Sequence, residues 1–288
     1  MAKKYLHLCI EDPRQSLVAT IFSGKIGMFR AFSLFLMSFL ITACATSPTG
    51  RSQFIAFPEQ MLARQGAAAF AEMKTRTPAS ANTKTRRYVS CVANALLETM
   101  GEKPSRWEVV VFADKQLNAF ALPGRKIGVY EGILRAATNQ HMLAAVIGHE
   151  IGHVQARHGN ERVSASAAGE LALKAIQIIG SGSSPQSSGL DPRVLSAIGI
   201  GIEYGILRPY SRDHESEADR MGLALMARAG FDPKQSVTLW RNMAKLSGGA
   251  PPEFLSTHPS SKTRIRDLRK AVPTVMPFYR AVRHKPNC

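Results

Sequence analysis

Apolar residues fall at helical spacing along much of this chain, except for one interval where the pattern tightens into short strands. Glu59 to about Lys74 predicts an amphipathic helix, and Thr75 to Lys84, with Pro78 and several small polar residues, predicts a break. Tyr88 to Met100 carries Val89, Val92, Leu96 and Leu97 on one helical face, and Gly101 and Pro104 close it. Trp107 to Phe112, with Val109-Val110-Val111, reads as a strand. Asn118 to Leu122 and Lys126 to Tyr130 read as two more, joined by a Pro123-Gly124 turn. From about Gln140 onward helices dominate. The first runs to about Arg157, an Ala/Leu/Ile-rich helix spans Val163 to Gly180, and a Gly/Ser loop covers Ser181 to Leu190. Another apolar helical stretch spans Pro192 to Leu207, and a further helix starts near Ser211 and runs through Met221, Leu223, Leu225 and Met226. A small curved sheet followed by helices predicts an α+β fold, mainly helical, without the strand–helix alternation of a dinucleotide-binding domain.

The N-terminal region has a different character. Met28-Phe29-Arg30 precedes an apolar run of 11 residues, Ala31 to Ile41, and then Thr42-Ala43-Cys44. This is the layout of a secretory signal, and the run is too short for a membrane-spanning helix. Ile41-Thr42-Ala43-Cys44 resembles a bacterial lipobox, which implies cleavage that leaves Cys44 as an acylated first residue. Ala45 rather than Asp after it resembles an outer-membrane address. Residues 1–27, with Glu11, Asp12 and Pro13, fit poorly as part of the signal, so Met28 is the expected start. The expected organisation is an extension and signal over 1–43, a lipidated tether over 44–57, and a single domain over 58–288. Roughly 240 residues after Cys44 suffice for one substantial core.

In an exported protein Cys91 and Cys288 can form a disulfide or stay as two thiols. The formal charge of +16 could attract nucleic acid, anionic lipid or acidic protein. The cations are dispersed, and no nucleic-acid module accompanies them. A membrane-facing surface is expected, and nucleic acid is not an expected partner.

The candidate chemistry is concentrated in His149-Glu150-Ile151-Gly152-His153, in a chain with only eight histidines. On a helix, residues four apart share a face, so His149 and His153 can bind one ion. Glu150 stands beside them, able to take a proton from water at the metal. In the helix that starts near Ser211, Glu215 and Asp219 share a face, with Gly222 a turn further on. Glu215 is the best third ligand. Asp219 can accept the outer N–H of a ligating histidine, which orients the ring. Gly222 permits close helix approach.

These residues resemble the zinc metallopeptidase family that contains HtpX, BepA and the yeast CAAX prenyl protease. His149-Glu150-x-x-His153 matches its zinc motif, and Glu215-x-x-Ala218-Asp219 matches its glutamate motif, whose first glutamate is the ligand. Asn118 to Gly124, Ser256-Thr257-His258-Pro259 and Arg264-Ile265 follow in family order, so the resemblance covers roughly Tyr88 to Lys270. It implies a zincin-like core, one Zn2+ per chain and metalloendopeptidase activity, closest to the compact outer-membrane lipoprotein members. His258 is then an additional donor to the reacting carbonyl or a gate over the open metal position. Arg264 orients that loop or steadies acidic groups. His158 supports the site without ligating. Asn118 and Ala119 lie near an edge that pairs with extended peptide. Arg125 departs from the family, standing where a second glycine often follows Pro-Gly.

An edge strand recognises backbone rather than side chains. The expected substrates are therefore unfolded or misfolded envelope proteins, at the periplasmic face of the outer membrane and near its assembly machinery. The alternative is a zinc-bound chaperone or assembly factor with latent or absent proteolysis.

Overall fold

The computed structural model describes residues 44–181, 210–246, Phe254, Thr257–His258 and 262–288. The apolar run Ala31–Ile41, the Pro192–Leu207 stretch, Ser256 and Pro259 lie outside the described residues. Residues 44–56 belong to a unit separate from Phe57–Cys288. There the expected tether contains a short antiparallel hairpin, β1 (Cys44–Thr46) paired with β2 (Ser52–Phe54). Its turn is closed by Gly50 N–H donating to Ser47 O and by the positive φ of Gly50.

In the larger unit the chain order is α1 (Glu59–Arg76), α2 (Thr83–Thr99), β3 (Glu108–Phe112), β4 (Ala119–Leu122), β5 (Lys126–Tyr130), α3 (Gln140–Gln155), α4 (His158–Ser181), α5 (Arg212–Arg228), α6 (Lys234–Leu246) and α7 (Lys262–Ala281). This is the expected α+β class. Three boundaries differ from the sequence pattern, one of them the start of α4 at His158 rather than Val163. α2 starts at Thr83 because the Asn82 side chain caps it, accepting from Thr85 N. The helix expected through Arg157 stops at Gln155, because Arg157 turns into the left-handed region at φ 54° and α4 then sets off. Among the described residues no helix is long and apolar enough to cross a membrane.

The sheet order is β3-β5-β4, with β3 parallel and β4 antiparallel to β5. Four rings, Phe70, Phe112, Phe120 and Tyr130, pack with centroids 5.6–6.2 Å apart and hold α1 to this sheet. The β4–β5 turn sits directly on α1. A Cβ on Gly66 would come 2.2 Å from Pro123 O, and one on Gly124 2.5 Å from Ala63 O.

α3 is the centre of the domain, buried at every position from Met142 to His153. Asn139 caps it, its side chain accepting from His141 N and Met142 N at 3.0 Å each. The C-terminus is tied to the same region. Cys91 and Cys288 are joined by a disulfide with Cα atoms 5.7 Å apart, and the Gln140 side chain bonds both Cys288 N and Pro286 O.

α3 and α5 cross backbone to backbone. A Cβ on Gly222 would lie 2.7 Å from His149 N, and one on Gly152 would lie 3.0 Å from Ala218 O. Overpacking of this kind typically costs about 1–3 kcal/mol. Gly222→Ala is therefore expected to lower unfolding stability by about that amount. Gly169→Ala, in an exposed part of α4 with nothing near a new Cβ, should raise it by about 0.5–1 kcal/mol. Urea denaturation of both variants checks the contrast.

Candidate metal centre

The α3–α5 crossing brings three donors together. His149 and His153, one turn apart on α3, place their Nε2 atoms 3.1 Å from each other. Glu215, in the first turn of α5, reaches them from above: Oε1 lies 3.4 Å from His153 Nε2, and Oε2 lies 3.5 Å from His149 Nε2. Ser211 starts that helix by accepting from His214 N, which sets where Glu215 emerges. His258 enters as a fourth member. Its Nδ1 is 3.0 Å from Glu215 Oε1 and 3.3 Å from His149 Nε2.

These four buried groups suit one ion. For a tetrahedral ion with bonds of about 2.0–2.1 Å, neighbouring donors stand about 3.3 Å apart, close to the separations found here. Imidazole nitrogens with one carboxylate are donors that zinc accepts readily.

The outer nitrogens of both histidines are also accounted for. His158 donates from Nε2 to Glu217 Oε2 at 3.1 Å, so its Nδ1 can accept from His153 Nδ1–H at 2.9 Å. That tautomer leaves the His153 Nε2 lone pair facing the cluster. His149 Nδ1 lies 3.0 Å from Asp219 Oδ1, a close but poorly aligned contact that orients the ring. Asp219 in turn receives Arg264 Nε and Nη2 at 2.7 Å each, and Arg264 Nη1 pairs with Glu215. The guanidinium is sandwiched over Trp240, 4.0 Å from its ring centre.

Electrostatics follow from this packing. Burial holds the His153 imidazole well below its ordinary range and keeps it neutral. Burial would also depress His149, but Asp219 and Glu215 outweigh it and carry it to about 9. Burial raises Asp219 and Glu215, yet the partners packed against them outweigh it. Arg264 lowers Asp219, while His258, His149 and His153 hold Glu215 below the usual carboxylate range. Glu150 shifts the other way, raised first by burial. Its Oε1 has no hydrogen-bond partner and lies 3.5 Å from His258 Nε2.

Of the sequence-predicted residues, His149, Glu150, His153, His158, Glu215, Asp219, His258 and Arg264 converge here. Asn118 is buried just ahead of β4, its carbonyl accepting from Tyr130 N, and Ala119 begins that strand. The Cys91–Cys288 pair does not join the cluster.

Two further residues contribute that the sequence assigns no role. Glu217 is fully buried against His158; a spacing of two from Glu215 turns it to another face of α5, and the signal was that His158 needed an acceptor. Tyr210 stacks on His153 at 3.9 Å and is capped by the Arg162 guanidinium at 4.2 Å. No local pattern marks it.

A buried helix with two histidines and a glutamate, crossed by a second helix that brings another glutamate, defines a zincin-type metallopeptidase core. The pattern of peptidase family M48 matches residues 83–272, and the chain belongs to that family. It is similar to the mitochondrial metalloendopeptidase OMA1 of Schizosaccharomyces pombe, 39% identical over 191 residues, covering 66% of this chain and 53% of that protein. The Bos taurus metalloendopeptidase OMA1 is 31% identical over 279 residues, covering 90% of this chain and 51% of its own. The beta-barrel assembly-enhancing protease of Escherichia coli is 27% identical over 199 residues, covering 67% and 40%. The chain thus spans about half the length of the curated relatives it matches.

Partners that orient a metal ligand typically contribute about 10–100-fold to affinity. His158→Ala and Glu217→Gln are each expected to weaken zinc binding by about that factor without unfolding the domain. Competition with a chromophoric chelator, alongside circular dichroism, measures both.

Proposed function

We propose that this protein is a zinc-dependent endopeptidase that cuts unfolded or misfolded cell-envelope proteins. His149, His153 and Glu215 hold the metal, and Glu150 is the general base. The observation that carries this reading is Glu150 itself, a buried carboxylate with an unpartnered oxygen, made more basic by burial and aimed at the donor cluster. When bound, zinc supplies a Lewis acid that polarises a peptide carbonyl and eases loss of a proton from water. Glu150 Oε1 takes that proton and delivers it to the departing amine nitrogen. Asp219 and His158 keep the two imidazoles in register through their outer nitrogens. Arg264 offsets the carboxylates of Glu215 and Asp219.

Substrate would lie along β4, one of the two edge strands of the sheet. Tyr130 N–H donates to Asn118 O, so the alternation of an antiparallel ladder turns the backbone groups of Ala119 and Ala121 away from β5. Those groups can pair with an extended peptide, which favours unfolded segments over folded surfaces. The lipobox resemblance supports anchoring through Cys44 at the outer membrane, facing the periplasm. The relative described as a beta-barrel assembly-enhancing protease supports a place near outer-membrane assembly.

A second reading has one observation in its favour. His258 Nδ1 stands among the donors rather than beside them, as a fourth ligand would. In that state the site is latent, and the protein serves as a zinc-bound assembly factor until His258 withdraws.

Glu150→Gln should retain zinc and lose about 100-fold or more of cleavage of an unfolded protein substrate. Equal cleavage by wild type and variant would sink the assigned mechanism. If His258 closes the site, His258→Ala raises turnover of the same substrate. A fall instead makes it a donor to the reacting carbonyl.

A further inference from the structure

Among the described residues, two non-glycine positions hold a left-handed backbone, Arg125 at φ 62° and Arg157 at φ 54°. Both line the same cavity, of about 560 Å3, whose wall also includes His153 and Tyr210. A side chain in that backbone region is strained, and retained strain tends to sit at working surfaces. Arg125 thus holds its guanidinium on a backbone that glycine would adopt with less strain.

The turn that presents Arg125 is rigidly seated, because Gly124 and Pro123 press on the backbone of α1. A third cation, Arg162, lies against Tyr210 in the same wall. Glu59 and Glu102 also line the cavity. Glu102 already shows what the rim accepts. Its Oε2 approaches Arg125 Nε at 3.4 Å, a single long contact that it shares with Trp107 Nε1 at 3.3 Å. The Arg125 side chain remains 48% exposed, so most of its fork is open to another carboxylate. Leu62, Leu122, Trp107 and Val163 give the same cavity apolar lining.

We propose that this cavity is a substrate subsite that takes an apolar side chain and reads an acidic residue close to it in the peptide, with Arg125 as the main determinant. The inference rests on the endopeptidase reading, since His153 places the cavity beside the metal cluster. Arginine pairs with carboxylates through two parallel N–H donors, which separates Asp or Glu from neutral and basic residues by charge and by shape.

The test uses peptides with one central Phe and a single Glu, Ala or Lys at each of three positions on either side. Binding to zinc-loaded Glu150→Gln protein and cleavage by wild type are measured separately. At one or more positions Glu should bind about tenfold tighter than Lys, and less so as salt is raised. Arg125→Gly, built in the Glu150→Gln background, should bring that ratio close to one. Glycine tolerates the left-handed backbone, so melting should not fall. Arg269→Ala, an exposed cation that does not line the cavity, should leave the ratio intact and exclude an effect of net charge. Equal binding of Glu and Lys peptides, or a preference that survives Arg125→Gly, overturns the subsite. Preference in binding without any cleavage by wild type leaves the subsite standing and removes the endopeptidase reading; cleavage without preference does the reverse.

Discussion

The structure depends on one close approach, where α3 and α5 cross with almost no side chain between them. Gly148 and Gly152 on one helix meet Ala218 and Gly222 on the other. A Cβ on Gly222, 2.7 Å from His149 N, would push α5, and Glu215 with it, away from the two histidines. The metal centre therefore begins as a packing problem. Burial along α3 supplies the force that presses the helices together, and small residues define how near they come.

That approach also buries many charged and polar groups, which a fold tolerates only when they are paired. Here the pairing is layered. Asp219 faces His149 on one side and a two-pronged contact from Arg264 on the other, while Arg264 also meets Glu215 and lies over Trp240. On the far histidine, Glu217 fixes His158 and His158 fixes His153. On His153 the lone pair is thereby directed inward by a hydrogen placed outward. Glu150 keeps an oxygen without a hydrogen-bond partner inside this buried network. A group left costly in that way is one that chemistry can use.

Much of this was readable in the sequence because it obeys helix geometry. His149 and His153 at a spacing of four, and Glu215 and Asp219 at the same spacing, are local facts that fixed which side chains share a face. The three strands were legible from their β-branched and alternating residues and short turns. What could not be read was tertiary. Tyr210 acts by lying on His153 from a distant part of the chain, and Glu217 by meeting a histidine 59 positions away. His258 could be placed near the site by family resemblance, but not at donor distance from Glu215. Backbone conformation escaped as well. Nothing in the composition around Arg157 announced a left-handed residue that ends one helix and starts another, and a Ser/Thr/Pro/Gly stretch concealed the hairpin of residues 44–54.

One zinc ion held at this crossing is what we propose makes the protein cut peptide bonds. Metal-free protein prepared with a chelator, then titrated with zinc while cleavage of an unfolded protein is followed, addresses it directly. Cleavage should be absent without metal, return linearly on addition of zinc, and reach a plateau at one equivalent per chain. Cleavage that persists in the metal-free protein, or that keeps rising to a second equivalent, would contradict it.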